Sequence, residues 1–130
     1  GPLIGDRCLV VIAGVLKQMA SRPGDVVCRY DGEEFALVLP ETDIDSARWV
    51  AERIRRRISE TVCDLDSAAI TLTASLGVAG MIPEQGLDPM RLLGAADAAL
   101  YQSKQEGRNR VTVAGKPQAP DNVTPLNRRG

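Results

Sequence analysis

The sequence has little of what marks several large classes of protein. Its formal net charge is −1 and aromatic side chains make up 3% of its 130 residues. The chain therefore has neither an excess of positive charge for binding phosphates nor many aromatic rings on which bases could stack, so its composition does not indicate a nucleic-acid partner. The apolar runs are far too short to span a bilayer, and no signal peptide precedes them. We predict a cytoplasmic domain that makes no membrane contact itself, although another part of the parent protein can be membrane-anchored.

Cysteine is also scarce. Cys8, Cys28 and Cys63 are scattered along the chain and odd in number, which fits neither a disulfide framework nor a metal site. Cys8 and Cys28 lie in apolar patterns. We therefore expect reduced thiols in the core of a cytosolic protein.

Enough apolar sequence is present to bury the core of one domain. The spacing of the apolar residues predicts three helices. The first starts after Asp6 as N-cap and stops at Pro23-Gly24, and the third runs from Asp88-Pro89 to Glu106. The second has an apolar stripe formed by Ala47, Val50, Ala51, Ile54 and Ile58. The spacing also predicts strands at 26–30, 35–39, 70–76 and 110–113.

The order α-β-β-α-β-α-β predicts an α+β sandwich with a βαββαβ-type (ferredoxin-like) central sheet flanked by helices. Such a sheet needs a strand before the first helix, so we expect the first strand to be absent from this chain. Residues 1–114 would then form the domain. Residues 115–130 contain three prolines and no periodicity, which predicts a disordered tail or an interdomain linker.

The most informative segment runs from Arg29 to Phe35, between two apolar runs. Asp31-Gly32 indicates a β-hairpin there, because Gly accepts a positive φ and Asp tolerates it. The turn would present Glu33 and Glu34 at its tip, where carboxylates suit a hard cation such as Mg²⁺ beside a phosphate. The segment thus favours metal-assisted phosphoryl chemistry, while an acidic turn that is merely solvated fits it equally well.

Four segments, in order, resemble the GGDEF domain, the catalytic module of diguanylate cyclases, over residues 1–114. They are Gly1–Asp6, similar to Gly-His-x-x-Gly-Asp; Asp31–Phe35, similar to Gly-Gly-[Asp/Glu]-Glu-Phe; Ser75–Ala79, similar to Ser-[Ile/Leu]-Gly-Val-Ala; and Ala96–Val111, similar to the family's closing helix and strand. The resemblance implies a nucleotidyl-cyclase fold, Mg²⁺ or Mn²⁺ as cofactor, and a homodimer. It also implies a transferase that condenses two GTP molecules into the bacterial second messenger cyclic di-GMP.

The family's roles on the hairpin transfer to this chain residue by residue. Glu33 matches the carboxylate that binds metal and is proposed to help deprotonate the attacking ribose 3′-hydroxyl. Glu34 matches a second metal-binding carboxylate. Asp31 and Gly32 stand where the family's two glycines let the backbone approach the nucleotide.

Three further substrate contacts are implied outside the hairpin. Asp6 matches a residue that hydrogen-bonds guanine; the simpler interpretation is a helix N-cap, and the two roles are compatible. Lys104 and Arg108 match phosphate-binding residues and, four apart at a helix end, should share one face. Without the resemblance, both would be interpreted as solvated residues that favour the helix macrodipole.

Arg22 and Asp25 form an Arg-x-x-Asp pattern that precedes the hairpin by the same number of residues as the inhibitory site does in the family. At that site the product binds and switches the cyclase off. Arg suits this role because its planar fork can hold phosphate or the Hoogsteen edge of guanine. Arg53 matches the secondary inhibitory arginine, which closes the site from a neighbouring domain. The simpler interpretation is that Pro23-Gly24 only stops a helix.

The chain departs from the family pattern at three places. Asp31 replaces the first motif glycine and adds a negative charge near the expected triphosphate. Pro2 replaces a histidine, and the opening strand with its metal-binding Asp and guanine-binding Asn is not in the chain. Two alternatives to a cyclase therefore stay open, a degenerate cyclic di-GMP sensor that uses Arg22 and Asp25, and a GTP-binding regulatory module. We expect sensory or phosphodiesterase domains outside this chain as further partners, and the regulatory module would act on a domain such as a phosphodiesterase.

Overall fold

A computed structural model describes residues 2–66, 68–83 and 88–115. The helices are α1 (Pro2–Met19), α2 (Ile44–Glu60) and α3 (Pro89–Gln105). The strands are β1 (Val26–Asp31), β2 (Glu34–Val38), β3 (Val62–Leu65), β4 (Ala68–Thr71), β5 (Leu76–Val78) and β6 (Val111–Val113). In the described part of the chain β1–β2 and β3–β4 pair antiparallel and β5–β6 pair parallel, which gives an α+β fold with three two-stranded sheets.

Aspartate caps begin the two later helices. The Ser46 N–H donates to Asp43 Oδ1 at 2.8 Å, and hydrogen bonds from Ser46 lower the pKa of Asp43. The Met90 N–H donates to Asp88 Oδ1 at 2.9 Å, with Pro89 as the first helical residue. The predicted start of α3 at Asp88-Pro89 is therefore confirmed.

The core forms where α1 and α2 pack together against the strands. Val15 and Leu16 of α1 meet Ile54 and Ile58 of α2, and all four are buried. Half-buried apolar residues from the helices, the strands and the segment between β4 and β5 cover this cluster: Ile12, Met19, Val27, Phe35, Leu37, Val50, Leu72, Ala74 and Leu76. The predicted apolar stripe of α2 is confirmed, and full burial of each isoleucine contributes about 1.5–3 kcal/mol.

Helix α3 lies directly on the β5–β6 pair. A Cβ atom at Gly77 of β5 would overlap the backbone of Ala96, Ala99 and Leu100, so only glycine permits this close approach. Buried Ser103 connects the same helix to β5, because its hydroxyl donates a hydrogen bond to the Leu76 carbonyl oxygen at 2.8 Å. These contacts hold the C-terminal end of α3, which carries Lys104.

The first helix differs from its prediction at both ends. It begins at Pro2, so Asp6 lies inside α1 and the N-cap interpretation of Asp6 is wrong. Proline is well suited to the first turn of a helix, where its missing N–H is not needed. The helix ends at Met19, before Pro23-Gly24.

The predicted strand at 70–76 is divided in the structure. Residues up to Thr71 belong to β4 and pair with β3, whereas Leu76 begins β5 and pairs with β6. The alternation nevertheless identified the buried face, because Leu72, Ala74 and Leu76 pack on the core. Strand β3 was not predicted, since its four residues are few and include a charged one.

The cysteines are free, but only part of their prediction is confirmed. Cys8 and Cys63 are buried, and burial, followed by a hydrogen bond with the Cys8 thiol, raises the pKa of Cys63. Cys28 is exposed, which corrects its assignment to the core. Its neighbour Val27 packs on the core instead, because adjacent strand residues point to opposite faces.

Among the described residues, no helix is both long enough and apolar enough to cross a membrane. The predicted tail falls almost wholly outside the described residues, which end at residue 115.

Candidate functional site

A cleft of about 480 Å³ separates α1 from the hairpin, and it is called the hairpin cleft below. Asp6, Leu9 and Lys17 of α1 form one wall, and Cys28 and Arg29 of β1 belong to the other. Asp6 is exposed and its carboxylate can only accept hydrogen bonds when ionised. The position of Asp6 inside α1 therefore suits a ligand that presents N–H groups to the cleft.

The hairpin turn consists of Gly32 and Glu33, because Asp31 pairs with Glu34 across the strands. This corrects the prediction that Asp31-Gly32 is the turn and that both glutamates lie at its tip. Gly32 has φ 42°, a conformation that glycine adopts readily. The Arg29 Nε–H donates to the Gly32 carbonyl oxygen at 2.5 Å and closes the turn. Glu33 is left exposed at the tip.

Glu34 and Lys104 meet although 70 positions separate them. Lys104 Nζ lies 3.5 Å from Glu34 Oε2, and both side chains are about one-third exposed. The contact joins the start of β2 to the last turn of α3. An acidic and a basic side chain, both assigned to one nucleotide by the sequence, thus lie side by side.

Arg108 does not share a helix face with Lys104, which corrects the prediction. Helix α3 ends at Gln105, and Gly107, with φ 122°, turns the chain away from the helix axis. Arg108 follows in a left-handed conformation with φ 65° and is exposed. Its position is therefore set by the turn and not by helical spacing.

The metal-ligand set at the hairpin is small. In residues 2–66, 68–83 and 88–115, no group of three or more His, Cys, Asp and Glu side chains could hold a metal ion. Mg²⁺ is commonly bound by one or two carboxylates, with water and substrate phosphates as its other ligands. Exposed Glu33 and half-buried Glu34 fit an ion that arrives with a nucleotide, and they do not form a preformed cage.

A second and larger cleft, of about 800 Å³, lies beside α2 and is called the α2 cleft. Arg22, Asp25 and Arg53 all line it, so the structure brings the three predicted inhibitory residues together within one chain. A volume of this size is ordinary for a small-molecule site. That Arg53 acts on a neighbouring domain remains a prediction.

Arg22 and Asp25 are held by a local network. The Arg22 Nη2–H group donates to the Pro40 carbonyl oxygen at 2.8 Å and to Thr42 Oγ1 at 3.1 Å. The Arg22 backbone N–H donates to Asp25 Oδ2 at 3.0 Å. Asp25 Oδ1 is buried and has no hydrogen-bond partner among the described residues. An acceptor in this state favours a ligand with N–H donors.

The sequence interpretation missed Trp49, the only tryptophan in the chain. Trp49 lines the α2 cleft, is 60% exposed, and its ring centroid lies 4.8 Å from the Arg53 guanidinium carbon. The i, i+4 spacing of an aromatic and an arginine on one helix was the available signal.

The family model described as "Diguanylate cyclase, GGDEF domain" matches residues 1–110. Diguanylate cyclase A from Treponema denticola is 39% identical over 115 residues, which cover 88% of this chain and 30% of the relative. Diguanylate cyclase VdcA from Vibrio cholerae serotype O1 is 42% identical over 114 residues, which cover 85% of this chain and 33% of the relative. The chain thus spans about a third of the length of these curated relatives.

A solved structure has the same fold. The GGDEF domain of DgcB from Caulobacter crescentus, crystallised in complex with c-di-GMP, superposes with a TM-score of 0.75 at 33% identity. The match covers 83% of this chain and 63% of that chain. The sequence, the hairpin and the fold agree, and the chain belongs to the GGDEF domain family.

Proposed function

We propose that this domain condenses two GTP molecules into cyclic di-GMP and releases two pyrophosphates. The observation that carries the proposal is the 3.5 Å contact between Glu34 Oε2 and Lys104 Nζ. In this contact the Glu34 carboxylate, which suits a metal ion, lies beside a cation that suits phosphate, and the two hairpin strands line a cleft together with Asp6. Similarity to diguanylate cyclases from Treponema denticola and Vibrio cholerae supports the same activity.

In the proposed reaction, the ribose 3′-hydroxyl of each GTP attacks the α-phosphorus of the other. A new P–O bond forms, and the bond from the α-phosphorus to the bridging oxygen of pyrophosphate breaks. Glu33, exposed at the turn, accepts the proton of the attacking hydroxyl. Lys104 and Arg108 hold the phosphates, and Asp6 accepts hydrogen bonds from guanine.

Mg²⁺ or Mn²⁺, held by Glu33 and Glu34, would neutralise charge on the triphosphate when bound. The protein side chains then contribute mainly position, because the reacting hydroxyl and phosphate need to approach in line. Asp31, whose backbone pairs with that of Glu34 in the hairpin, stands where the family has its first motif glycine.

Assembly follows from the symmetry of the product. Each domain binds one GTP, so closing a ring with two-fold symmetry requires two domains face to face. We therefore propose a transient homodimer, formed in the cytoplasm and brought together by sensory or other domains of the full-length protein. Turnover should rise more steeply than linearly with protein concentration.

Product binding at the α2 cleft is the second candidate function, either as feedback inhibition or as the only activity of a degenerate sensor. The buried Asp25 Oδ1, which has no hydrogen-bond partner in the part of the chain that the structure describes, favours it, because the N–H groups of guanine would supply donors. The DgcB domain, crystallised with c-di-GMP, supports this ligand by similarity.

The test separates cyclase from sensor. The full-length protein is incubated with GTP and Mg²⁺, and cyclic di-GMP is followed by chromatography, for the unchanged protein and for Asp31→Gly. Product from the unchanged protein supports the cyclase, and a higher rate in Asp31→Gly shows that the extra charge obstructs the triphosphate. An inert natural protein that Asp31→Gly activates would identify a sensor, and absence of product from both would refute the cyclase.

A further inference from the structure

The turn after α3 has an unusual backbone. Gly107, Arg108 and Asn109 are consecutive and all have positive φ, at 122°, 65° and 49°. This conformation is easy for glycine and unfavourable for residues with a Cβ, with asparagine among the most tolerant. Two strained residues in a row persist only where surrounding contacts hold them.

Such contacts hold the backbone on both sides of Arg108. The Arg108 N–H donates to the Ser103 carbonyl oxygen at 2.9 Å, and the Arg108 carbonyl oxygen accepts from Arg110 Nε–H at 3.2 Å. The next residue is held as well, because the Asn109 N–H donates to Ser75 Oγ at 3.2 Å. The Arg108 side chain itself is exposed.

A side chain from α2 completes the arrangement. Arg55 Nη1–H donates to Asn109 Oδ1 at 3.0 Å across 54 positions of sequence. The other edge of the same guanidinium is occupied, because Arg55 Nε–H donates to Glu52 Oε1 at 2.7 Å. With its side chain only 21% exposed and paired to Glu52, Arg55 is a fixed donor.

We propose that Arg55 and Asn109 are positioning residues for Arg108. Their hydrogen bond holds the left-handed turn in the one conformation that directs Arg108 toward the β- and γ-phosphates, so it raises the affinity for a triphosphate without touching it. The inference rests on the proposed function, in which Arg108 binds phosphate. It explains why an exposed side chain has a backbone fixed by contacts to α2, α3 and the segment before β5.

Variants of Asn109 distinguish two properties of this residue, its tolerance of a positive φ and the hydrogen bond that its side chain accepts from Arg55. Asn109→Ala loses both the acceptor for Arg55 and the tolerance for positive φ, whereas Asn109→Gly loses only the acceptor. Asn109→Asp keeps both and should restore the natural behaviour. Arg55→Ala should match Asn109→Gly, and Arg56→Ala, an exposed arginine on the same helix, is the control with the same change of charge.

Calorimetry on the full-length protein measures the affinities for two ligands in the presence of Mg²⁺. One is a GTP analogue that has a methylene bridge between the α- and β-phosphorus, and the other is GMP. Asn109→Ala should weaken binding of the triphosphate about tenfold, Asn109→Gly and Arg55→Ala less, and Asn109→Asp and Arg56→Ala hardly at all. Affinity for GMP should not change in any of them. Hydrogen exchange, followed by mass spectrometry over residues 103–110, should be faster in Asn109→Ala and Arg55→Ala.

Two results would overturn the proposal and differ from each other. If Asn109→Ala changes the affinities for the triphosphate and for GMP by the same factor, or changes neither, the turn does not position Arg108. If the unchanged protein binds the triphosphate no more tightly than GMP, the proposed phosphate site itself fails, and the positioning role fails with it. Should Asn109→Ala fold poorly, the contrast between Asn109→Gly and Asn109→Asp decides in the same way.

Discussion

The two clefts of this GGDEF domain are built from different parts of the chain. The α2 cleft takes its charged residues, among them Arg22, Asp25 and Arg53, from one continuous stretch, whereas the proposed substrate site combines Asp6 of α1, the hairpin and the end of α3. Arg22 is anchored by carbonyl and hydroxyl oxygens within 20 positions of it. Lys104 reaches its partner Glu34 over 70 positions.

This difference has a physical consequence. Loop closure costs more entropy as the sequence separation grows, so the Arg22 contacts over 18 and 20 positions cost about 1 kcal/mol less to close than the Glu34–Lys104 contact over 70 positions. The substrate site depends on the packing of α3 against β5 and on a turn held by α2. We therefore expect the substrate site to be lost first when tertiary packing is weakened.

The largest expected effect is on catalysis at the hairpin. Glu33→Gln keeps the shape of the side chain but removes the charge that would bind metal and accept a proton. In the full-length protein, formation of cyclic di-GMP should fall about 100-fold or more, as measured by chromatography. Glu60→Gln, at the exposed end of α2, is the control and should retain the natural rate. Retained activity in Glu33→Gln would remove this glutamate from the mechanism and leave the turn as a solvated loop.

Binding of the product tests the α2 cleft independently. Arg22→Ala should weaken binding of cyclic di-GMP by about 2–5 kcal/mol, or at least about 30-fold, because the guanidinium that would hold the ligand is lost. Calorimetry measures the affinity, and fluorescence of Trp49, the sole tryptophan, reports on the cleft directly. Arg7→Ala, at an exposed ion pair with Asp66, is the control. An unchanged affinity in Arg22→Ala would leave Arg22 and Asp25 as a turn that merely follows α1.

Packing of α3 should distinguish the two clefts. Gly77→Ala inserts a methyl group into the backbone of α3 and should lower the free energy of unfolding by about 1–3 kcal/mol, measured in urea. In the folded fraction, affinity for a GTP analogue should fall while affinity for cyclic di-GMP is retained. Gly94→Ala is the control on α3, since a Cβ there meets nothing within 4 Å, and it should stabilise the helix by roughly 0.5–1 kcal/mol. Equal loss of both ligands would contradict the independence of the clefts.

The smallest expected effect is protection of Cys28. This exposed thiol lines the hairpin cleft, whereas Cys8 and Cys63 are buried, so iodoacetamide should modify Cys28 first. A GTP analogue with Mg²⁺ should slow the modification about threefold to tenfold by occupying the cleft, a change of roughly 1 kcal/mol in accessibility. Cyclic di-GMP bound in the α2 cleft should not slow the modification of Cys28. Mass spectrometry measures the rates of modification. Protection by cyclic di-GMP alone would place the product in the hairpin cleft.

Local patterns in the sequence predicted what depends on near neighbours. The stripe from Ala47 to Ile58 identified the buried face of α2, and Asp88-Pro89 identified the start of α3. Both succeed because helical periodicity and capping involve residues within a few positions. The hairpin was also recognised, although its turn proved to be Gly32-Glu33, because pairing of the apolar strands and a register shift between Arg29 and Asp31 set the register.

Only the tertiary structure decided which distant residues meet. The alternation at 70–76 marks a buried face, but the division into β4 and β5 depends on the separate partners β3 and β6. Likewise, the sequence predicted Glu34 as a metal-binding residue and Lys104 as a phosphate-binding residue. Their 3.5 Å contact depends on the packing of α3 over Gly77. The turn that carries Arg108 contacts another helix through the Asn109–Arg55 hydrogen bond, and no periodicity encodes such a contact, because it exists only after the chain has closed on itself.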